Sequence, residues 1–496
     1  MQDTILGLDI GTSSTKAVLF DLFGQEVAAV QQSYPLSTPH AGWAEQDPEQ
    51  LWNTLLDVLR EVISKAGDER RILAMSLATQ SGSLIAAKAD GTPLYPMITW
   101  LDSRAEEIVQ QWRAEGLEEQ VRRSSGWRLQ SGLSLPGIAW LKKFRPDVFK
   151  AAKRFLGAHD FLLGRLTGEF TVDLSGGTEM QLLDISSGQW SKTLCALVGI
   201  TPAQLSHLIP AGQVIAPITA EVSRLTGLSP ETLVVSGGHD QTCAALAMGL
   251  INPGQLMLAT GTAWVITGVA ASPAIEAIPA QMDLNFHIAP NRWTVSQLLG
   301  GFGASVEWWL QQNLQALAPQ TALSRAELYA QLERLLAQSQ PGSNKLLFLA
   351  PEGGAQLSDG RQAGGFIGLQ LAHTRADMSR AILEGIAFEV RWALEMMRRA
   401  ELSVERLWVA GGATQSQTWT QILADVCNVP LLLTQYAHWP ALGAAILAGF
   451  GVGVFDTLEA GIARFQRSPR QITPDESHKR LYDEQFQIYK RLAKVI

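Results

Sequence analysis

Cysteine is scarce in this sequence, and its three thiols are far apart. Cys195, Cys243 and Cys427 form no CxxC pair within the 496 residues. Neither a disulfide framework nor a zinc site is therefore predicted from them. The scarcity of cysteine fits a reducing compartment, and we expect a cytoplasmic protein.

Long blocks of one charge are also missing. The chain has 39 Lys and Arg residues against 47 Asp and Glu residues, a formal net charge of -8, with no long stretch of either sign. Proteins that bind nucleic acids neutralise phosphates with clustered basic residues. The sequence therefore argues against a nucleic-acid partner.

Long apolar runs are absent as well. No positively charged segment followed by an apolar one precedes the first strand pattern, so no signal peptide is expected. The most apolar late stretch, residues 441–455, is shorter than a membrane span and rich in glycine. We predict a buried helix and turn there, and no membrane partner.

The length and apolar content of the chain predict a folded protein of more than one domain. At 496 residues, 46% of them hydrophobic, the chain exceeds what one hydrophobic core supports. A Pro-Gly turn lies within residues 249–255. We predict an α/β protein with one domain over residues 1–249 and a second over residues 250–496.

The N-terminal stretch ILGLDIGTSSTKAVLFD, residues 5–21, places an acid between an apolar strand and a small turn. A second strand follows at once, then the turn DLFGQ and a third strand, so two consecutive hairpins are predicted. Walker and Rossmann loops open a helix instead, so neither chemistry is implied. Backbone N–H groups of such a turn bind anions, helped here by Thr12, Ser13, Ser14 and Lys16.

An ordinary hairpin, in which Asp9 bonds its own turn, is the alternative interpretation of that stretch. A second pattern favours the anion site. Residues 254–269 repeat the pattern of a strand, a Thr-Gly-Thr turn and a second strand. Two further segments each predict a strand, a Gly-Gly turn and the start of a helix, namely LVVSGGHDQ at residues 233–241 and LWVAGGATQ at residues 407–415. The repeated order predicts two related domains that face each other across a cleft and hold phosphate between them.

These residues resemble the FGGY carbohydrate kinases. The resemblance includes Asp9 with its GTSS turn, GGHD at residues 237–240, the Gly-Thr turn at Gly261 and GGA at residues 411–413, and it covers essentially the whole chain. Residues 364–384 also fit the family's C-terminal signature. The resemblance implies two ribonuclease-H-like domains of the actin/hexokinase ATPase type flanking a central cleft. The first would be the sugar-binding and catalytic domain, and the second the nucleotide-binding domain.

Within the family, several segments are similar to those of xylulokinases, namely residues 42–52, 98–104, 160–170 and 287–293. Other segments depart from the family's patterns. Residues 79–83 read TQSGS where xylulokinases carry Gln-Met-His, Ser81 and Gly82 replace the Arg-Glu of glycerol kinases, and Gly137 stands where the N-terminal signature usually has lysine. The resemblance implies ATP- and Mg²⁺-dependent phosphorylation of a ketopentose such as D-xylulose, and it disfavours glycerol.

Asp240 is the predicted general base. Phosphoryl transfer to a sugar hydroxyl needs positioning, charge neutralisation and an acceptor for the hydroxyl proton. Asp240 follows a Gly-Gly pair at a predicted helix start, where the backbone can approach a ligand closely. The alternative is that Asp240 merely caps that helix. Asp9, together with Asp240, is implied as the side-chain part of a Mg²⁺ site, with Asp9 acting through a bound water.

The remaining site residues are implied by the resemblance. Sugar contacts are assigned to Gln80, Asp102 and Arg104 beside Asp240, because a polyol is held by carboxylates and amides. Asp102 and Arg104 could instead be a surface pair in a loop. Contacts to ATP are assigned to Asp9, Gly11, Thr12, Ser13, Ser14, Lys16, Gly261, Thr262, Gly303, Gly411, Gly412 and Ala413.

Some residues are interpreted as structural. His287 is expected to be structural, His159 and Asp160 to begin a helix with Asp160 as its cap, and Trp308 and Trp309 to fill the wall of the second domain. The tail is predicted to be an amphipathic helix with Leu481, Phe486, Tyr489 and Leu492 on one face. That helix either packs on the protein or forms a homodimer contact.

Three alternatives to a ketopentose kinase stay open at this level. One is an FGGY kinase for ribulose, another ketose, a polyol or a sugar acid. A second is an actin-fold ATPase that phosphorylates nothing, although no additional client-binding module is visible in the sequence. A third is a regulator that binds sugar without kinase activity, which the altered substrate segments suggest.

Overall fold

The structure is a computed structural model that describes residues 2–67, 69–261, 263–315, 323–351, 364–434, 436–466 and 468–495. Its strands are β1 Gln2–Ile10, β2 Ser14–Asp21, β3 Glu26–Ser33, β4 Glu45–Gln46, β5 Arg70–Thr79, β6 Ile85–Ala87, β7 Met97–Ile98, β8 Arg154–Leu156, β9 Thr171–Val172, β10 Leu183–Asp184, β11 Gln189–Trp190, β12 His207–Leu208, β13 Val214–Pro217, β14 Leu233–His239, β15 Leu256–Thr260, β16 Trp264–Ala270, β17 Asp283–Phe286, β18 Trp293–Gly300, β19 Leu347–Leu349, β20 Gly365–Ile367, β21 Leu407–Gly411, β22 Leu431–Leu433 and β23 Arg470–Ile472.

The helices alternate with these strands along much of the chain. They are α1 Pro48–Ala66, α2 Glu106–Ala114, α3 Glu118–Ser125, α4 Ser134–Phe144, α5 Pro146–Ala151, α6 Ala158–Thr167, α7 Leu174–Glu179, α8 Lys192–Val198, α9 Ala220–Thr226, α10 Asp240–Ala247, α11 Phe302–Trp309, α12 Arg325–Leu336, α13 Arg375–Arg399, α14 Gln417–Cys427, α15 Trp439–Gly451, α16 Leu458–Phe465 and α17 Lys479–Val495. None of them, within the described ranges, has both the length and the apolar character needed to cross a membrane.

The chain forms two compact units, each made of several segments. The first comprises residues 1–252, 270–294 and 438–467, and the second comprises residues 253–269, 295–437 and 468–496. The first unit therefore takes in α15 and α16 from late in the sequence. The division into sugar-binding and nucleotide-binding domains at residues 249 and 250 stays a prediction.

The main sheet of the first unit has the strand order β13-β14-β5-β1-β2-β3. The two predicted N-terminal hairpins are confirmed as β1-β2-β3, and β1, β5 and β14 run parallel to one another. Helix α1 covers this sheet with an apolar stripe of Leu51, Leu55 and Leu59, which recur every four residues. Asp47 caps its N-terminus by accepting from the N–H of Glu49.

The second unit repeats this strand arrangement. Its strands β18, β16, β15, β21, β22 and β23 are neighbours in that order. Strand β15 pairs antiparallel with β16 and parallel with β21, just as β1 pairs with β2 and β5. By this match β21 corresponds to β5 and β22 corresponds to β14.

The predicted equivalence of the two Gly-Gly segments is wrong. Residues 233–241 contain β14 and residues 407–415 contain β21, which hold different positions in their sheets. Gly237 and Gly238 also lie inside β14, at an irregularity in its pairing with β5, and form no turn. Gly237 is required there because a Cβ would lie 1.8 Å from the carbonyl oxygen of Leu77. At both segments the backbone lies close against a neighbouring strand, and only glycine fits there. The two sequences are therefore similar although the two strands are not equivalent.

The late apolar stretch forms the predicted buried helix, α15, in the first unit. Its sequence is apolar on all sides, as expected for a helix buried between other elements. It packs on β1 and on α10 at two glycines, Gly7 of β1 and Gly443 of α15. A Cβ at Gly7 would lie 1.8 Å from the carbonyl oxygen of Ala441, so backbone lies directly against backbone at this point.

The interpretations of the structural residues are confirmed in most cases. His287 is buried, and its Nδ1 accepts from the N–H of Ala289. The prediction of Asp160 as the cap of α6 is wrong in position, because Gly157 occupies the cap, but Asp160 at the third helical position accepts from the N–H of Gly157 and so acts at the helix start. Trp309 is buried in the second unit, but Trp308 is 50% exposed, because adjacent helical residues point about 100° apart.

The C-terminal helix α17 packs on the second unit, as one of the two interpretations predicted. Tyr482, Phe486 and Tyr489 are fully buried, and Phe388 of α13 contacts all three rings. The Tyr489 hydroxyl donates to Glu389, and the Tyr482 hydroxyl donates to Glu384. This packing accounts for the apolar face of the tail within one chain. A homodimer contact stays a proposal.

We expect Gly7→Ala to destabilise the first unit strongly. The new methyl group would overlap the Ala441 carbonyl, and both partners are backbone, so α15 would have to move off β1. A loss of about 3 kcal/mol in the free energy of unfolding is expected from urea titration. Gly11→Ala is the matched control, because its Cβ would lie 3.6 Å from the nearest atom. Equal stability of the two variants would contradict the packing described here.

Candidate active site

Three parallel strands end side by side in the first unit. The register pairs Ile10 of β1 with Thr79 of β5, and Thr79 with His239 of β14. The carboxyl ends of parallel strands are where α/β folds place their ligand-binding residues. Asp9, Gln80 and Asp240 therefore lie at one edge of the sheet, although 231 positions separate the first from the last in the sequence.

Asp9 is a buried carboxylate with a cross-strand partner. It is 5% exposed, and Lys16 lies directly opposite it on β2 and donates from Nζ to Oδ2 at 3.0 Å. Burial raises the pKa of Asp9, the carboxylate of Asp240 raises it further, and Lys16 opposes both effects. Asp9 and Asp240 are thus near enough to repel each other when both are charged.

This pair of acids fits a divalent cation. Mg²⁺ is held in proteins by one or two carboxylates and completes its shell with water and phosphate oxygens. A cation between Asp9 and Asp240 would relieve the repulsion that raises the pKa of Asp9. Within the described ranges, no cluster of three or more His, Cys, Asp and Glu side chains could hold a metal. Any Mg²⁺ here would need further ligands from nucleotide and water.

The turn between β1 and β2 is short and braced. The N–H of Gly11 donates to the carbonyl of Ser14 at 3.0 Å, and the hydroxyl of Tyr34 donates to the carbonyl of Gly11. Ser13 is exposed and Thr12 is partly exposed, whereas Ser14 is buried with its hydroxyl accepting from Gln31. The turn therefore presents Thr12 and Ser13 to solvent, as a phosphate-binding turn requires.

Gln80 braces that turn from the end of β5. Its Oε1 accepts from the Thr12 hydroxyl at 3.2 Å, and its Nε2 donates to Oε1 of Gln46 at 2.8 Å. The indole of Trp100 also donates to the Thr12 hydroxyl, at 2.9 Å. Gln80 is 4% exposed. Its observed contacts position the turn, and its role in sugar binding stays a proposal.

Asp102 and Arg104 form a buried pair, so the surface-pair interpretation is wrong. Both side chains are almost wholly buried, and Arg104 donates from Nε and Nη2 to the two oxygens of Asp102 at 2.8 and 2.7 Å. Asp102 also accepts from the N–H of Ala44, and Arg104 pairs with Glu45. The guanidinium carbon lies 3.7 Å from the ring centre of Trp43. These contacts fix the loop that carries Trp100.

Asp240 is the first residue of α10, and His239 occupies the N-cap position. No side-chain capping bond forms at this end of the helix, so the alternative role of Asp240 as a cap is not supported. Its side chain is 24% exposed. A carboxylate that is held by a strand end and remains accessible suits a general base.

His239 lies between two carboxylates. Its Nδ1 is 2.7 Å from Oε1 of Glu179, and its Nε2 is 3.0 Å from Oδ1 of Asp240. Burial alone would lower the pKa of His239, but Glu179 and Asp240 outweigh it and raise that pKa well above its usual value. Glu179 ends α7 and also accepts from Nδ2 of Asn285 at 3.0 Å.

Four of the residues predicted to contact ATP from the second unit, Gly261, Gly411, Gly412 and Ala413, lie at two strand ends. Gly261 follows β15 and Gly411 ends β21, and these two strands are parallel neighbours. The Thr260 hydroxyl accepts from the N–H of Ala413 and donates to the carbonyl of Ala410, which joins the two ends. Gly412 is exposed beside them, whereas Gly303 lies in the first turn of α11. Thr262 lies outside the described residues.

Sequence reasoning missed several residues of this region. Gln46 and Trp100 lie in quoted segments but received no role, and His239 stands inside the GGHD motif beside the predicted base. Glu179 and Asn285 have no local signal, because Glu179 of α7 reaches His239, and Asn285 of β17 reaches Glu179, only in the folded chain. A buried acid beside a histidine is recognisable only once those elements are packed.

Comparison with protein-family models gives matches over both parts of the chain. The model of the FGGY family of carbohydrate kinases, N-terminal domain, matches residues 4–247, and that of the C-terminal domain matches residues 257–452.

Whole-chain comparisons agree. The chain is 30% identical to a xylulose kinase of Lactococcus lactis over 99% of this chain and 96% of that protein. It is 27% identical to a gluconokinase of Bacillus subtilis over 100% of this chain and 96% of that protein. Among solved structures, the xylulose kinase from Rhodospirillum rubrum matches with a TM-score of 0.90 and 30% identity, covering 99% of this chain and 98% of that one. The predicted two-domain fold of the actin/hexokinase type is confirmed.

Arg104→Lys should destabilise the first unit, because a lysine cannot reproduce the two-pronged bond to Asp102 or the contact with the Trp43 ring. We expect a loss of about 2 kcal/mol in the free energy of unfolding from urea titration. Arg145→Lys is the matched control, because Arg145 forms an exposed pair with Asp147, and such pairs contribute about 0–1 kcal/mol. If both variants lost the same amount, the buried pair would not hold the loop.

Proposed function

As the chain belongs to the FGGY family of carbohydrate kinases, we propose that the sugar it phosphorylates with ATP is a ketopentose, D-xylulose being the first candidate. The observation that carries this proposal is the edge formed by β1, β5 and β14, where Asp9, Gln80 and Asp240 lie together. Family membership favours the kinase over an ATPase or a sugar-binding regulator. The substrate is argued from the charges at this edge.

Three basic side chains near this edge, Lys16, Arg104 and His239, are each paired with an acid. Lys16 pairs with Asp9, Arg104 with Asp102 and Glu45, and His239 with Glu179 and Asp240. A sugar acid would place its carboxylate among these acids while these three cations are already engaged, and juxtaposed like charges oppose binding. A neutral ketose needs only hydrogen bonds. The pairing therefore supports a ketopentose over gluconate, the substrate named for one of the relatives.

In the proposed reaction, Asp240 accepts the proton of the attacking sugar hydroxyl. The hydroxyl oxygen forms a bond to the γ-phosphorus of ATP while the bond from that phosphorus to the bridging oxygen breaks, which releases ADP. The turn at Gly11–Ser14 and Lys16 would hold the phosphates through N–H groups and positive charge. Gly261 and Thr262 would also contact the triphosphate, and Gly303, Gly411, Gly412 and Ala413 would contact the nucleoside.

Mg²⁺ is proposed as the cofactor, with Asp9 and Asp240 as its side-chain contacts. When bound, it would neutralise the phosphates and the charge that develops during transfer. Asp9 would orient this ion through a water molecule. Its burial and its bond to Lys16 fix the direction of its carboxylate.

A substrate panel tests the proposed specificity. We expect ADP release to depend on sugar and kcat/KM to be highest with D-xylulose or another ketopentose. Gluconate should be used at least about tenfold less well, because its carboxylate meets the acids at the strand ends. Glycerol is expected to be a poor substrate. A higher kcat/KM for gluconate than for every ketose would overturn the argument from charge.

Asp240→Asn tests the assignment of the base. The variant keeps the size of the side chain but cannot accept the proton, so kcat should fall by about 10²–10⁴-fold. Binding of ATP without Mg²⁺, measured by calorimetry, should change little, because Asp240 is assigned no contact with the nucleotide itself. Asp147→Asn serves as a control, because Asp147 is an exposed residue paired with Arg145. Turnover of Asp240→Asn near the wild-type rate would remove Asp240 from this role.

A further inference from the structure

We propose that His239 is a positioning residue that holds Asp240 in the orientation needed to accept a proton from the sugar. The proposal rests on the proposed role of Asp240 as the base. It adds two residues, His239 and Glu179, that act on the reaction through Asp240. The contacts around the imidazole ring and its backbone carry the inference.

Both nitrogens of the His239 ring are engaged by carboxylates. Nδ1 lies 2.7 Å from Oε1 of Glu179, and Nε2 lies 3.0 Å from Oδ1 of Asp240. Because a planar ring with both nitrogens bound cannot rotate without losing a contact, its orientation is fixed by Glu179. Fixing Oδ1 of Asp240 on the ring in turn sets the direction in which Oδ2 points.

Glu179 is itself held firmly. Its side chain is buried at the C-terminal end of α7, and Nδ2 of Asn285 donates to the same Oε1 at 3.0 Å. A buried carboxylate with two donors has little freedom to move. The ring of His239 is therefore anchored to two elements, α7 and β17, that lie outside the catalytic motif.

The backbone of His239 is fixed by the other end of α7. Its N–H donates to the Ser175 hydroxyl at 2.9 Å, and that hydroxyl donates to the buried carboxylate of Asp173. Its carbonyl accepts from the Thr242 hydroxyl at 2.7 Å. Ring and backbone are thus both restrained, so the helix start that carries Asp240 is held on each side.

This restraint matters because the side chain of Asp240 is 24% exposed. A short, partly exposed carboxylate can change rotamer, and each rotamer points its oxygens in a different direction. A misplacement of about 1 Å in a catalytic group can cost about 10²-fold in rate.

Two substitutions of His239 separate its two contacts. The amide nitrogen of an asparagine sits near the place of Nδ1, and that of a glutamine near the place of Nε2. His239→Gln therefore keeps a hydrogen-bond donor for Asp240. His239→Asn keeps a donor for Glu179 but loses the donor for Asp240. We expect kcat to fall by about 10–100-fold in His239→Asn and by less than about fivefold in His239→Gln, with the sugar KM of both within about threefold of wild type.

The kinetics are measured as ADP release with the best sugar of the panel, so a wrong choice of sugar counts only against the proposed substrate. Equal kcat values for the two His239 variants would overturn the proposal. A large rise in sugar KM at unchanged kcat would also overturn it, because His239 would then contact the sugar. Asp240→Asn is assayed in parallel. If this variant keeps its turnover, the assignment of Asp240 as the base fails. If Asp240→Asn loses turnover while both His239 variants keep theirs, only the positioning role of His239 fails.

Glu179→Gln provides a second test should His239→Asn not be recovered folded. Its amide oxygen still accepts a hydrogen bond but carries no charge, so we expect kcat to fall by about 3–10-fold with sugar KM retained. Glu384→Gln is the matched control, because Glu384 is an equally buried acid of the second unit, bonded to Tyr482 and Ser343. It should lower the melting temperature and keep kcat within twofold. A wild-type kcat in Glu179→Gln would overturn the proposal.

Discussion

The parallel pairing of β1, β5 and β14 is the constraint on which the rest of the site depends. Hydrogen bonds between these strands fix Ile10, Thr79 and His239 at one level of the sheet. Residues just before or after these positions must then lie together, whatever their separation in sequence. Helix α15 packs against the same three strands, with its backbone directly against Gly7 of β1.

Several acidic side chains lie near the ends of β1, β5 and β14, and they determine which charged ligands can bind there. Among the described residues, Asp9, Asp102, Glu179 and Asp240 lie in this region, and Lys16, Arg104 and His239 are each paired with one or two of them. Under the proposed function, such a site would favour a cation bound with phosphate and a neutral sugar over a second anion. The chemistry inferred for the chain therefore depends on the balance of charge as much as on the single base.

The local features were predictable from sequence, and those that depend on tertiary packing were not. The N-terminal hairpins, the position of Asp9 and the buried helix α15 follow from short patterns of apolar and turn residues. The prediction that the two Gly-Gly segments are equivalent was wrong, because close backbone packing requires glycine at strands that hold different positions in the two sheets. Glu179 and Asn285 could not be assigned, since nothing in their own segments marks them. Asp102 and Arg104 were recognised as a pair, but their burial depends on Trp43 and Glu45 from an earlier segment.

The most direct test of this account is a crystal structure of the chain with Mn²⁺, a nonhydrolysable ATP analogue and D-xylulose. We predict anomalous density for the metal beside Asp9 and a sugar hydroxyl within about 3.2 Å of an Asp240 carboxylate oxygen. A sugar bound elsewhere, with no hydroxyl near Asp240, would contradict it.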